Sequence, residues 1–208
     1  MGRPLLPLIS VEAITTAALD LVDESGDFSL PKLARRIGVS QSSIYNHVSG
    51  REEILELLRH RIIAEEPHAP VDHGQWEEAL RVLIRAYRDA FARHPRLAPL
   101  LVLQSIKDPD VIGMYEDLAR ALEAAGFGGR DVVSAISTID SFALGAALDL
   151  AAPDVVWDPP ADGYPALKRA LSDAGPAQER GRHAFDFGLD VIIGGLRDRL
   201  RTKQGHLA

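Results

Sequence analysis

The sequence predicts an all-α protein: an N-terminal helix-turn-helix unit of three helices, then a larger C-terminal helical domain, about nine to ten helices in all. Three observations predict it. No stretch alternates apolar and polar residues for long enough to make a half-buried strand. Apolar residues instead recur at spacings of three and four along most of the chain. Residues 29–51, SLPKLARRIGVSQSSIYNHVSGR, read as two short helices about a tight turn. The expected boundaries are 1–50 for the N-terminal unit, 51–66 for a linking helix and 67–208 for the rest.

Each element has local reasons. Ser10 is a suitable cap for a first helix whose apolar face is Val11, Ile14, Ala18, Leu21 and Val22, and Gly26 stops it. Ser29 caps a second helix, with Pro31 tolerated in its first turn and Leu33, Ala34 and Ile37 turned inward. Gly38 makes the turn, Val39 plugs the core, and Ser40 opens a third helix expected to reach about His47. A fourth starts near Arg51 and carries Ile54, Leu55, Leu58 and Ile62. Residues 67–74, PHAPVDHG, form a connector. Beyond it, an apolar face spans residues 75–94. A short helix lies between Pro95 and Ser105, and another runs from Pro109 to Gly126. Residues 130–151 are apolar nearly all round, residues 153–163 are a Pro-rich loop, and a last helix spans roughly 178–200.

The net charge of the 208-residue chain is −7, yet Pro31 to Arg51 holds four basic residues (Lys32, Arg35, Arg36, Arg51) and no acidic one. A locally basic, hydroxyl- and amide-rich helix pair suits phosphate-backbone binding. In a helix-turn-helix the second helix enters the major groove. With Val39 and Ile44 inward, the third helix is left to present Ser40, Gln41, Ser42, Ser43, Tyr45, Asn46 and His47. Gln and Asn pair bidentately with adenine, and Ser pairs with several bases. Lys32, Tyr45 and Arg51 more naturally contact phosphates. The absence of cysteine excludes disulfides, thiolate zinc sites and cysteine nucleophiles, and suits a reducing cytoplasm. No apolar run is read as a membrane span of ~20 residues, and the start is read as mature sequence. No phosphate loop or nucleophile elbow marks an enzyme.

LARRIGVSQSSIYNHVSGREEIL resembles the N-terminal domain of the TetR family of bacterial transcriptional repressors. The motif positions are Gly26, Ser29, Leu33-Ala34, Ile37-Gly38-Val39-Ser40 and Ile44-Tyr45-x-His47, with the fourth helix from Arg51. The match is specific over about residues 10–60, and ISTIDSFALGAAL (136–148) more weakly resembles the central helix of the tetracycline-repressor subgroup. Arg51 stands where the family commonly has Lys. The tetracycline and magnesium ligands of the subgroup have no clear counterparts, Leu83 standing where an amide ligand is expected. The resemblance implies a bacterial homodimer on the palindromic operator of a double-stranded DNA, released by a small organic effector, with no cofactor and no membrane partner.

In the larger domain, Trp76, Leu83, Tyr87, Phe91, Leu101, Gln104, Met114, Asp140 and Phe142 are the candidates for effector contact. Each of the apolar ones, taken singly, is better read as core, and Gln104 and Asp140 are readable either as ligand-facing or as internally hydrogen-bonded. Val132, Ile136, Ile139, Phe185, Leu189, Ile192 and Leu196 are the candidates for dimerisation, with Gly188, Gly194 and Gly195 allowing close approach. His68, Asp72 and His73 lie in a Pro-bearing loop with no helical face to fix a geometry, so no metal site is expected. Regulation by a protein partner, or a helical ligand-binding protein or enzyme that leaves DNA alone, are the alternative readings.

Overall fold

The computed structural model describes residues 9–67 and 69–205, and among these the regular structure is helical. The head is built from α1 (Val11–Ser25), α2 (Leu30–Ile37) and α3 (Gln41–Tyr45) against the start of α4 (Arg51–Ala64). Three serines open its helices. Ser10 Oγ accepts from the Ala13 amide, Ser29 Oγ from Lys32 and Ser40 Oγ from Ser43. Gly38 follows α2 at φ 81°, a left-handed conformation that costs a residue bearing a Cβ. The third helix is shorter than expected. It stops at Tyr45, and the Ile44 carbonyl then receives the amides of both His47 and Val48 in a closing turn. Helices of 15, 8 and 5 residues would not persist alone. Ile14, Ala18, Val22, Phe28, Leu33, Ile44, Val48 and Ile54 bury together and hold them, each aliphatic side chain contributing ~1.5–3 kcal/mol.

α4 runs out of the head into the body, where it meets α5 (Trp76–Ala92). α5 is central and packs on α7 (Pro109–Ala125) and α8 (Gly129–Asp149). A 3-10 turn at Pro95–Leu97 and the short α6 (Ala98–Leu101) fill the space toward α1 and α4. Arg96 Nη1 there donates to the carbonyls of Asp23 (2.6 Å) and Glu24 (2.8 Å), capping α1 from the body. α9 (Pro165–Asp173) precedes the long α10 (Ala177–Gly205), which packs on α8 and α5.

Two findings differ from the sequence reading. No helix was expected over 165–173. α9 has only a short apolar stripe, Ala166, Leu167, Ala170 and Leu171, and buries none of its residues. α8, 21 residues long with a mean hydropathy of 1.4, is long and apolar enough by composition to cross a membrane. Its apolarity has a local cause. Val132, Ala135, Ile139, Ala143 and Ala147 form one face buried within the helical body, where α8 packs on α5, α7 and α10. The α8–α10 contact needs Gly188, since a Cβ there would lie 2.7 Å from Phe142 Cζ.

Candidate nucleic-acid interface and effector cavity

Ile44, fully buried, pins α3 to the head and turns its other side chains outward. Gln41, Ser42, Tyr45, Asn46 and His47 are exposed and Ser43 is half-buried. Ser40 Oγ lies 2.8 Å from both Ser42 Oγ and Ser43 Oγ, so these hydroxyls form a local network at the helix start. Lys32 and Arg35 are exposed on α2, and Arg36 donates to Glu24 Oε1 at 3.0 Å.

Arg51 is placed differently from the phosphate contact expected of it. Its guanidinium carbon stands 4.4 Å from the centroid of the Phe28 ring, and Nη2 lies 2.7 Å from Asp27 Oδ1. Nη1 donates to the Phe28 carbonyl. The side chain ties the α1–α2 corner to the first turn of α4, with both Nη groups engaged within the head. Beside it, the amide and hydroxyl of Ser49 donate to Glu53 Oε2 (2.6 and 2.7 Å), which holds that carboxyl below the usual range.

In the body, Leu83, Tyr87, Phe91, Leu101, Gln104, Met114 and Asp140 converge among α4–α8. Tyr87 Oη donates to Asp140 Oδ1 at 2.8 Å and Tyr115 Oη to the same oxygen at 2.7 Å, the two hydroxyls being 3.2 Å apart. Burial first, and the neighbouring Asp140 with it, pushes both phenols above their ordinary range, so each stays a protonated donor. Tyr87 is a shared wall of three small cavities. One of 170 Å³ reaches Ile63, Asp110 and Met114, and one of 60 Å³ reaches Arg59, Gln104, Tyr115 and Asp140. The third, of 10 Å³, lies among Leu83, Leu118 and Ile139. None reaches the ~300 Å³ of an ordinary ligand pocket.

Trp76 and Phe142 are not brought to these cavities. Trp76 begins α5, some 16 Å of helix before Tyr87 at the usual rise, and meets Phe127 edge-on at 6.3 Å. Phe142 lies two residues after Asp140, so it leaves α8 roughly 200° away, stacked on Phe185 at 5.4 Å.

The sequence reading missed Arg59, Glu56 and Tyr115. Two of them sat on visible stripes, Arg59 between Leu55 and Ile62 and Tyr115 between Val111 and Leu118, spacings that mark an inward face. Arg59 Nη2 donates to the carbonyls of Leu101 (2.7 Å) and Gln104 (3.4 Å). Glu56 Oε1 accepts the amides of Lys107 (2.7 Å) and Asp108 (2.8 Å). α4 thus grips the α6–α7 connection at two points.

Of the residues considered for a metal, Asp72 accepts from Gly74 and Gln75 while His73 Nε2 lies 3.0 Å from Asp117 Oδ1, so the two face different partners. His68 lies outside the described residues. His60, Asp108 and Asp110 bring their ligand atoms within 4.8 Å of one another, His60 Nδ1 standing 3.1 Å from Asp108 Oδ2. Asp108 Oδ1 caps α7 through the amides of Asp110 and Val111. Burial pushes the Asp108 carboxyl up, but these amides and His60 together hold it below the usual carboxylate range.

The residues read as dimerising lie on α8 and α10, and their burial within the single protomer differs. Val132, Ile139, Phe185 and Leu189 are buried within the protomer, and Ile136, Ile192 and Leu196 are half-buried. A helix that is apolar nearly all round does not reveal in sequence which stripe its own chain covers. The outward stripe holds Val133 (64% exposed), Leu148, Phe187 (71%) and Val191 (57%). It flanks a 340 Å³ groove lined by residues such as Ser134, Thr138, Ile192 and Gly195.

An all-α body with a helix-turn-helix head defines the class, and comparison with known proteins defines the family. Residues 69–200 match the family described as tetracyclin repressor-like, C-terminal domain. The chain is 30% identical over 198 residues to the class D tetracycline repressor protein of Escherichia coli, covering 91% of this chain and 89% of that one. It is also 30% identical over 142 residues to an HTH-type transcriptional regulator of Saccharopolyspora erythraea, and 28% over 145 residues to the HTH-type transcriptional repressor DrrR1 of Streptomyces coeruleorubidus. These two matches span 67% and 68% of this chain but 60% and 53% of the relatives' own lengths. Apo ActR from Streptomyces coelicolor has the same fold, with a TM-score of 0.75 at 22% identity over the full length of both chains. TetR from Acinetobacter baumannii gives 0.71 at 25% identity, covering 92% of this chain and 98% of that one. The chain belongs to the TetR family of transcriptional regulators.

Proposed function

We propose that this chain is a repressor of the bacterial cytoplasm that binds a palindromic operator as a homodimer and leaves it when a small organic effector enters the cavity around Tyr87. Base reading falls to Gln41, Ser42, Ser43, Asn46 and His47, and phosphate contact to Lys32, Tyr45 and Ser40. The observation that carries the DNA-binding reading is the exposed, acid-free surface of α2 and α3 on a protein of net charge −7. Pairing of two protomers through α8 and α10 is supported by Phe187, Val191 and Val133, which leave an apolar stripe open to solvent beside the groove. Four helices meeting there about a two-fold axis make a bundle.

The effector site is supported by Tyr87, Tyr115 and Asp140, a polar triad among apolar walls at the place where α4 leaves the head. A ligand of ordinary size needs the wall at Tyr87 to move, and that movement is what α4 transmits. Only a ligand with different affinity for the two states shifts operator binding. The test is fluorescence anisotropy of the full chain with labelled duplex DNA across salt concentrations. The expected result is binding whose logarithm falls linearly with the logarithm of salt. No binding to any duplex at low salt would overturn the reading.

A further inference from the structure

Arg59 is the one buried charged side chain among the described residues, 3% exposed. A guanidinium in such a place is costly unless its donors are matched. Nη2 has the Leu101 and Gln104 carbonyls. Nη1 is buried and has no hydrogen-bond acceptor; Glu56 Oε2, its ion-pair partner, stands 3.3 Å away without hydrogen-bond geometry. The other Glu56 oxygen is already held by the amides of Lys107 and Asp108. Arg59 also lines the 60 Å³ cavity beside Gln104, Tyr115 and Asp140. A residue in the lining of the candidate effector cavity therefore holds one buried donor without a hydrogen-bond acceptor.

We infer that Arg59 determines effector specificity by donating to an uncharged oxygen acceptor, a keto or quinone oxygen, on a flat aromatic compound that also presents a hydroxyl to Asp140. This rests on the reading of that cavity as the effector site. The charge balance favours an uncharged acceptor over a carboxylate. Glu56 already offsets Arg59, and Asp140 adds a further negative charge on the opposite wall, so an anion would meet net repulsion. Tyr87, Phe91 and Tyr115 line the same space with aromatic rings that can pack on an aromatic ligand edge-on or face-on. The fork that meets the ligand is also the fork that holds the Leu101 and Gln104 carbonyls from α4. An acceptor at Nη1 redraws the tie between the cavity and the helix leading to the head.

Three bicyclic probes separate the features: 6-hydroxy-1-tetralone, 5,6,7,8-tetrahydro-2-naphthol, which lacks only the ketone, and 5,6,7,8-tetrahydro-2-naphthoate, an anion. Affinities are measured by titration calorimetry on the full chain, then on Arg59→Lys and Arg59→Met. The tetralone is expected to bind the natural protein about 10- to 100-fold more tightly than the naphthol, and the naphthoate most weakly. Arg59→Met should abolish the ketone preference, read as the ratio of tetralone to naphthol affinity within the variant. Arg59→Lys, which keeps the charge, should reduce the preference, and the contrast in the natural protein is readable without any variant. Equal binding of tetralone and naphthol, or a ketone preference that survives Arg59→Met, overturns the role of Arg59 and leaves the cavity reading standing. Tightest binding by the naphthoate overturns the uncharged class. Binding by none of the three overturns both the inference and the cavity reading on which it rests.

Discussion

Replacing Arg51 by Ala separates a structural role from a DNA-contacting one. Three interactions are lost. The cation over Phe28 contributes ~0.5–1 kcal/mol at a partly exposed site. The hydrogen bond to the Phe28 carbonyl contributes ~1 kcal/mol, somewhat more because the donor is charged. The pair with Asp27 has side chains 37% and 63% exposed, so solvent screening reduces it to near nothing. The expected destabilisation is about 1.5–2.5 kcal/mol, read as a lower urea midpoint at unchanged m-value. Because both Nη groups of Arg51 are engaged by Asp27 and the Phe28 carbonyl, the salt slope of operator binding should stay where it is below the unfolding transition. A variant as stable as the natural protein, with a salt slope smaller by about one unit, would refute this and restore Arg51 as a phosphate contact.

Other residues give independent checks. Gln41→Ala and Asn46→Ala should each cost ~1–3 kcal/mol on the operator and little on random duplex in anisotropy titrations; equal losses on both would misplace the reading surface. Asp140→Ala strips the shared acceptor from two phenols and should cost ~1–3 kcal/mol in denaturant unfolding; the loss should shrink when Tyr87→Phe and Tyr115→Phe accompany it, and purely additive losses would deny the triad. Val191→Glu, at an exposed position on α10, should fold normally but sediment as a monomer; an unaltered dimer would move the interface elsewhere. Asp108→Asn keeps a good cap for α7 and removes the charge. The natural carboxyl has a lowered folded pKa, so its contribution is present above the ordinary aspartate value of 3.8 and is lost as pH falls through the folded value. The variant's stability should therefore fall less steeply through that acid window, and identical acid limbs would exclude Asp108 as a source of acid sensitivity.

What was legible in the sequence follows from the range of the interactions. Ser10, Ser29 and Ser40 with Gly26 and Gly38 act within a turn of where they stand, so the head's helices were readable. Asn46 and His47 fell outside α3 because two amides turn back to the Ile44 carbonyl, an ending no cap residue announces. The role of Arg51 depends on Phe28, 23 residues away, and that of Arg59 on carbonyls 42 and 45 residues away. Spacing placed Arg59 and Tyr115 on inward faces but did not name their partners. Tyr87 and Asp140 were both singled out, yet their meeting requires α5 to pack on α8. Which stripe of α8 its own protomer covers was not legible, because Val132 and Val133 are equally apolar and only packing of the protomer distinguishes them.

The central claim is that two copies of the α3 surface read DNA about a two-fold axis. Selection of the full-length chain against a pool of random duplexes, followed by sequencing, tests it most directly. The account predicts enrichment of an inverted repeat whose half-site centres lie about one helical turn or a multiple of it apart, with the enriched bases lost from the Asn46→Ala selection. A pool that shows no enrichment, or a single asymmetric site unchanged by Asn46→Ala, would contradict it.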